Sequence, residues 1–246
     1  MKDAELSPFT LHPSPFILHP SSFTLHPSSF ITMTKPYLIG LTGGIACGKS
    51  TVVAMLATLG ARTVDADRVT HRVQQPGTPV YQQIVAAFGP RILSTPNGPI
   101  DRRKLGDIVF ADLIAMRKLE QIVHPAVRTE IRSFIAETEA MGGYGTRTQP
   151  LARPVVVIDA IKLIETSWVK ECQQIWVITC DESQQIERLM ATRGMRESEA
   201  RQRVSAQAPQ SSRLSHATVV IDNSDSQDST RAQVEAAWQT VVDAVV

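Results

Sequence analysis

The sequence predicts an α/β fold in which a central parallel five-stranded sheet is flanked by helices, interrupted by a helical insert and closed by a short arginine-rich segment. Three observations carry that expectation. From residue 37 onward, short apolar runs rich in β-branched residues alternate with helical patterns, and such alternation builds a parallel sheet covered on both faces. A glycine-rich loop joins the first of these runs directly to a helix. The chain has 246 residues and 43% apolar content, enough for one substantial domain, expected over 33–246.

The elements follow in order. Residues 37–42 (YLIGLT) form a buried strand ending at a glycine pair, and 50–59 (STVVAMLATL) carry helical apolar spacing with Gly60 placed to end the helix. Arg62 to Val64 reads as a second strand running into Asp65, Ala66 and Asp67. After the PGTP turn at 76–79, the segments 80–88, 101–109 and 112–121 read as amphipathic helices, with turns at Gly89-Pro90 and at Pro96-Asn97-Gly98-Pro99. Pro125 opens a further helix to about Ala140, so that a helical insert is expected over about 68–140. A polar, Gly- and Pro-rich surface loop leads to the strand at 155–158; further strands are read at 175–179 and 219–221, separated by a helix from Ser183 to about Met190. Residues 229–245 form the closing helix.

The first 32 residues stand apart. A seven-residue repeat (FTLHPSP, FILHPSS, FTLHPSS) places prolines at 13, 15, 20 and 27, which excludes a continuous helix, and a unit this short buries no core. Residues 1–32 are therefore read as a disordered low-complexity tail, and Met33, just before the first strand, as a candidate start. His12, His19 and His26 invite a metal reading, against which the low-complexity reading is preferred.

The chemistry is concentrated in one motif. Gly43-Gly44-Ile45-Ala46-Cys47-Gly48-Lys49-Ser50 matches G-x-x-x-x-G-K-[ST], with a strand before it and a helix after it. Glycines let the backbone curl until successive N–H groups face inward, and the positive end of the helix adds to the same anion site. In that pattern Lys49 bridges the β- and γ-phosphates of ATP, the Ser50 hydroxyl ligates Mg²⁺, and Thr51 follows in the first helical turn. Residues 188–213 hold six arginines (188, 193, 196, 201, 203 and 213) against Glu197 and Glu199, a local net of +4. This segment is the candidate lid, with Arg188 and Arg193 expected at the ATP phosphates; a solvated helix face is the competing reading.

Composition excludes other classes. With 25 Lys and Arg against 24 Asp and Glu, a net charge of +1 supplies no global field for nucleic acid or an anionic membrane, so neither is expected as a partner. The apolar stretches are too short for a membrane span. Three cysteines without paired metal spacing argue for a reducing compartment, hence a cytoplasmic protein, monomeric or a small homo-oligomer. A switch GTPase would need Asn-Lys-x-Asp and Asp-x-x-Gly elements, and neither lies in a suitable position. A motor or transporter ATPase needs more scaffold. A small P-loop kinase fits.

At this point the residues resemble the dephospho-CoA kinase family, which phosphorylates the ribose 3′-hydroxyl of dephospho-CoA with ATP in the last step of coenzyme A synthesis. The similarity runs through IGLTGGIACGKSTV at the loop, VDADRVTHRVQQPGTP, DRRKLGDIVFAD at 101–112, HPAVR at 124–128, AQAPQSSRL at 206–214 and VIDNS at 220–224. The resemblance implies that Asp67 is the general base; a helix N-cap is the competing role, and Asp65 and Asp67 could divide the two. It also implies that Asp67, Arg72, His124 and Arg128 form the acceptor site, where cations hold the pyrophosphate of dephospho-CoA, although His124 could equally be structural. Asp222-Asn223 is expected beside the adenine of ATP, through backbone groups.

The chain departs from the family at two places. Ala46 and Cys47 stand where Gly and Ser are usual, which sets a thiol at a helix N-terminus beside Lys49, where thiolate is favoured. After the third strand, Asp159-Ala160-Ile161-Lys162-Leu163-Ile164-Glu165 replaces the usual Asp-x-Pro-Leu-Leu-Phe-Glu; Asp159 is placed to hold Mg²⁺ through water, and Lys162 could reach phosphate or point to solvent.

Overall fold

The structure, a computed structural model, describes residues 35–142 and 144–245. The repeat tail read at 1–32 lies outside the described residues. Five strands form one parallel sheet: β1 (Tyr37–Gly43), β2 (Arg62–Asp65), β3 (Val155–Asp159), β4 (Gln174–Thr179) and β5 (Val219–Asp222). Their spatial order is β2-β3-β1-β4-β5. Leu41 pairs with Asp159 on one side and with Trp176 on the other, so β1 is the central strand, and the chain crosses from one half of the sheet to the other around it. In an open parallel sheet that reversal leaves a crevice at the carboxyl ends of the strands.

The period of two along each strand sorts the apolar residues into two layers. Ile39, Leu41, Val155, Val157, Trp176 and Ile178 face α1 (Lys49–Thr58) and α9 (Gln227–Val245), where Leu56, Trp238 and Val241 complete the layer. Val156, Ile158, Ile175 and Val177 face the other side. There they pack with α2 (Ala66–Val73), α3 (Pro79–Phe88), α4 (Arg102–Ala111) and α5 (Leu113–Met141), through residues such as Val69, Ile84, Leu105 and Ile131. A third, small cluster joins α6 (Glu182–Arg193) and α7 (Glu197–Ser205) through Ile186, Leu189 and Ala200, and it touches Ile45 and Ala46 of the glycine loop. The short α8 (Gln210–Leu214) follows.

All five strands lie where the apolar runs predict them. The helical region differs in one respect: the helices expected at 112–121 and from Pro125 are a single helix, α5, with Pro125 inside it. Proline deletes one backbone donor and disfavours a helical predecessor, which is why it reads as a boundary. Here Val123 and Ile131 are buried on either side of it, and burial of one continuous face overrides the local preference. The polar loop before β3 is also tied down more than its composition suggests. Tyr144 donates a hydrogen bond to the Glu139 carbonyl at 2.5 Å, and Leu151 is buried in the core.

Candidate active site

Two regions meet at the carboxyl edge of the sheet. The first is the loop from Gly43 to Gly48, held open by distant segments. Gly48 is the N-cap of α1 with φ of 85°, a left-handed conformation suited to glycine, and a Cβ there would lie 2.0 Å from Asn223 Nδ2. Among the described residues no side chain caps α1; the Thr51 N–H turns back to the Gly48 carbonyl at 3.0 Å, while the N–H groups of Lys49 and Ser50 have no acceptor and remain available to an anion. Ala46 also has a positive φ, 57°, where the family usually carries glycine.

Asn223, expected near adenine through its backbone, has its side chain committed to the loop instead. Its Nδ2 donates to the Cys47 carbonyl at 2.8 Å, while its Oδ1 accepts from Thr230 Oγ1 at 2.8 Å. Arg188 donates to the carbonyls of Ala46 at 3.4 Å and Asn223 at 2.9 Å, which places it on the loop. The Ile45 N–H donates to Gln207 Oε1 at 2.7 Å, and buried Arg213 donates to the Ala208 carbonyl at 3.1 Å, fixing the turn that carries Gln207. Of the remaining lid arginines, Arg201 and Arg203 pair with Glu197 and Glu199 one helical turn away, which is the solvated-face arrangement. Arg193 and Arg196 are exposed at the turn between α6 and α7.

Cys47, the thiol expected to favour thiolate at the helix N-terminus, is buried at 1% exposure. Its pKa is lowered to about 7, chiefly because Cys180 hydrogen-bonds to it, and not through Lys49; the same contact pushes Cys180 upward. Burial raises the remaining thiol, Cys172, to about 12.

Lys49 and Asp159 stand face to face, Nζ to Oδ1 at 3.5 Å, both mostly buried. Beyond this ion pair Asp159 Oδ1 has no hydrogen-bond partner among the described residues, and burial raises its pKa against the lowering effect of Lys49, with Asp65 and Asp67 adding to the rise. A buried carboxylate oxygen without a donor, among further acids and beside a serine-bearing helix start, fits a hard cation. Mg²⁺ bound to phosphates needs only one or two protein ligands, so the lack of a three-residue metal cluster among the described residues is compatible with that fit.

The second region is a cavity of about 620 Å³ between α2, α5 and the two single-turn 3-10 helices after β3, Leu163–Glu165 and Ser167–Lys170. Its walls are largely apolar (Met116, Leu119, Val123, Val127, Ile131, Trp168), and Asp67, His124, Arg128 and Lys162 supply polar groups. Asp65, not Asp67, caps α2 by accepting from the Arg68 N–H at 2.9 Å, which leaves the exposed Asp67 carboxylate on the cavity wall. Arg128 stacks on Trp168 at 5.4 Å and donates to Ser167 and, at 2.6 Å, to Glu171. Arg132 takes the other Glu171 oxygen at 2.9 Å. Arg72 pairs with Glu130 at 2.9 Å and is not part of the cavity lining. Lys162 pairs with Glu165 at 3.5 Å.

Of the expected site residues, the fold thus brings Gly43 to Thr51, Arg188 and Asn223 together at one region and Asp67, His124 and Arg128 at the other. Gln207 escaped notice, although it lies in the quoted AQAPQSSRL run; a glutamine carries no charge to mark it, and its partner is 162 residues away.

The family model for dephospho-CoA kinase matches residues 37–229. Dephospho-CoA kinases of Symbiobacterium thermophilum and Geobacillus kaustophilus are each 46% identical to this chain. The first match covers 82% of this chain and 80% of the relative, the second 80% and 93%. Among solved structures, a Thermus thermophilus protein superposes with a TM-score of 0.69 at 26% identity, over 87% of this chain and all of the other. The Campylobacter jejuni dephospho-CoA kinase superposes with a TM-score of 0.58 at 23% identity, over 84% and 98%, a likeness of fold.

Proposed function

Because this chain belongs to the dephospho-CoA kinase family, we propose that it transfers the γ-phosphoryl group of ATP to the ribose 3′-hydroxyl of dephospho-CoA, giving coenzyme A and ADP, and that its two regions divide the substrates between them. The observation that carries this reading is the adjacency of an uncapped glycine loop to an apolar cavity with a carboxylate on its wall. The loop and the start of α1 take the donor phosphates, with Lys49 at the β- and γ-phosphates. The cavity takes the acceptor.

Asp67 accepts the proton of the 3′-hydroxyl as its oxygen bonds to the γ-phosphorus and the bond from that phosphorus to the ADP oxygen breaks. Mg²⁺, when bound, neutralises charge on the phosphates; Ser50 and Asp159 are the residues that would hold it. The Lys49 ammonium, already against Asp159, stabilises the charge that spreads over the transferring group. Arg188 holds the Ala46 carbonyl and thereby the loop, and exposed Arg193 is positioned to join the phosphates only if α6 and α7 shift toward them.

A coupled ADP-release assay with Mg²⁺-ATP and, in parallel, dephospho-CoA, adenosine monophosphate and shikimate tests the reading. Release with dephospho-CoA alone is expected; no release with dephospho-CoA overturns it.

A further inference from the structure

We propose that Lys162 is the cation that recognises the diphosphate of the acceptor, an inference that rests on the cavity being the acceptor site. Apart from His124, the cavity lining has two basic side chains, Arg128 and Lys162, against three acids, Asp67, Glu120 and Glu165. An anionic ligand entering such a lining needs a cation whose hydrogen-bonding capacity is not already spent. Arg128 does not meet that need. Its guanidinium is shared between Ser167 and Glu171 and sits over the Trp168 ring, 5.4 Å from its centroid, so it braces the wall of the cavity.

Lys162 is placed differently. Its ammonium has one partner among the described residues, Glu165 at 3.5 Å, and both side chains are more than half exposed, at 68% and 58%. An exposed pair of this kind is weak and exchanges readily. A phosphate carries more charge than Glu165 and accepts from all sides, and a flexible ammonium with three donors suits it as a point charge.

The backbone beneath Lys162 is firmly set. The Ala160 N–H donates to the Leu41 carbonyl at 3.0 Å, Thr42 Oγ1 donates to the Ile161 carbonyl at 3.0 Å, and Leu163 is fully buried. The flexible stem therefore swings from a fixed root three residues after Asp159, on the lining that also carries Asp67. Lys162 would anchor the diphosphate of the acceptor while Asp67 meets its hydroxyl.

The test is calorimetric titration of the full chain with dephospho-CoA, with ATP, and with adenosine, which shares the nucleoside but lacks the diphosphate. Lys162→Met is expected to weaken dephospho-CoA binding about tenfold, and Lys162→Arg about threefold or less, as loss and retention of one charge-assisted contact imply. ATP and adenosine should bind wild type and both variants alike. Added salt should weaken dephospho-CoA binding less in Lys162→Met than in wild type, a response that a purely structural residue would not alter. Equal dephospho-CoA affinity in Lys162→Met and wild type overturns the proposal, as does weakened adenosine binding or no binding to wild type. Weakened ATP binding also overturns it and assigns the ammonium to the donor phosphates. The functional reading is judged separately, by turnover: wild type that binds dephospho-CoA through Lys162 yet releases no ADP defeats that reading and leaves this inference standing.

Discussion

The glycine loop and the apolar cavity lie at the same edge of one sheet and are built on opposite principles. Around the loop, the side chains of Asn223, Arg188 and Gln207 spend hydrogen bonds on its backbone, and the N–H groups of Lys49 and Ser50 at the start of α1 stay open. Around the cavity, charged side chains bind one another over an apolar wall, as Arg128 does with Glu171 and Lys162, in an exposed pair, with Glu165. On the proposed reading the loop is preorganised, by side chains whose hydrogen bonds are already spent on backbone, for a polyphosphate that every cycle presents in the same form. The cavity, as the proposed acceptor site, would meet its ligand with an ion pair that can be exchanged for it. Substitutions on the two sides should therefore fail differently.

The largest effect is expected at Asp67, between the two. Asp67→Asn should lower kcat by about 10²- to 10⁴-fold while leaving ATP affinity unchanged; steady-state kinetics with a nucleotide titration checks both, and near-normal turnover removes Asp67 from the role of base. Next comes the brace of the loop. Asn223→Ala strands the Cys47 carbonyl in a buried position and leaves the Thr230 hydroxyl only the Ser226 carbonyl, and should cost about 1–3 kcal/mol in thermal or urea unfolding. It should weaken ATP binding and spare dephospho-CoA binding; equal weakening of both would blur the distinction between the regions.

Asp159 gives a prediction in pH. Its carboxyl is held above the ordinary value mainly by burial, so the folded protein keeps the proton longer than the unfolded chain does. Its contribution to stability is thus fully present below the ordinary carboxylate pKa and is lost as pH rises through the raised one. Asp159→Asn should flatten that fall in unfolding curves recorded across the acidic range without nucleotide, while abolishing Mg²⁺-dependent turnover. A fall unchanged in the variant would assign it to another group. The smallest effect is at Ala46, whose left-handed backbone disfavours a Cβ. Ala46→Gly should raise stability by about 1 kcal/mol or less, the relief of strain offset by the greater freedom of the unfolded glycine chain; a loss of stability would mean that the Ala46 methyl packing against the lid cluster matters more.

The two regions were also unequally legible in the sequence. The loop declares itself because its chemistry is local: eight consecutive residues between a strand and a helix carry the pattern, and the five strands announce themselves by short β-branched runs. What holds the loop is not local. Cys180 and Gln207 reach it from 130 and more residues away, and nothing in their own neighbourhoods marks them for that place. The cavity was legible as a set of residues and not as an arrangement. Asp67 and Asp65 read alike until the structure gives Asp65 the cap, and nothing in the sequence shows that Arg72 is paired with Glu130 or Arg128 with Glu171. Pro125 misled for a physical reason, since a local penalty was outweighed by burial that only the folded packing reveals.

On the proposed reading, the two regions come together in one bond, between the phosphorus held by the loop and the hydroxyl held in the cavity. Phosphorus NMR of the product formed from Mg²⁺-ATP and dephospho-CoA reads that bond directly. A new phosphomonoester resonance coupled to the ribose 3′-proton, appearing with the resonances of ADP, is the predicted result. A phosphomonoester at any other position, or ADP appearing with inorganic phosphate alone, would contradict it.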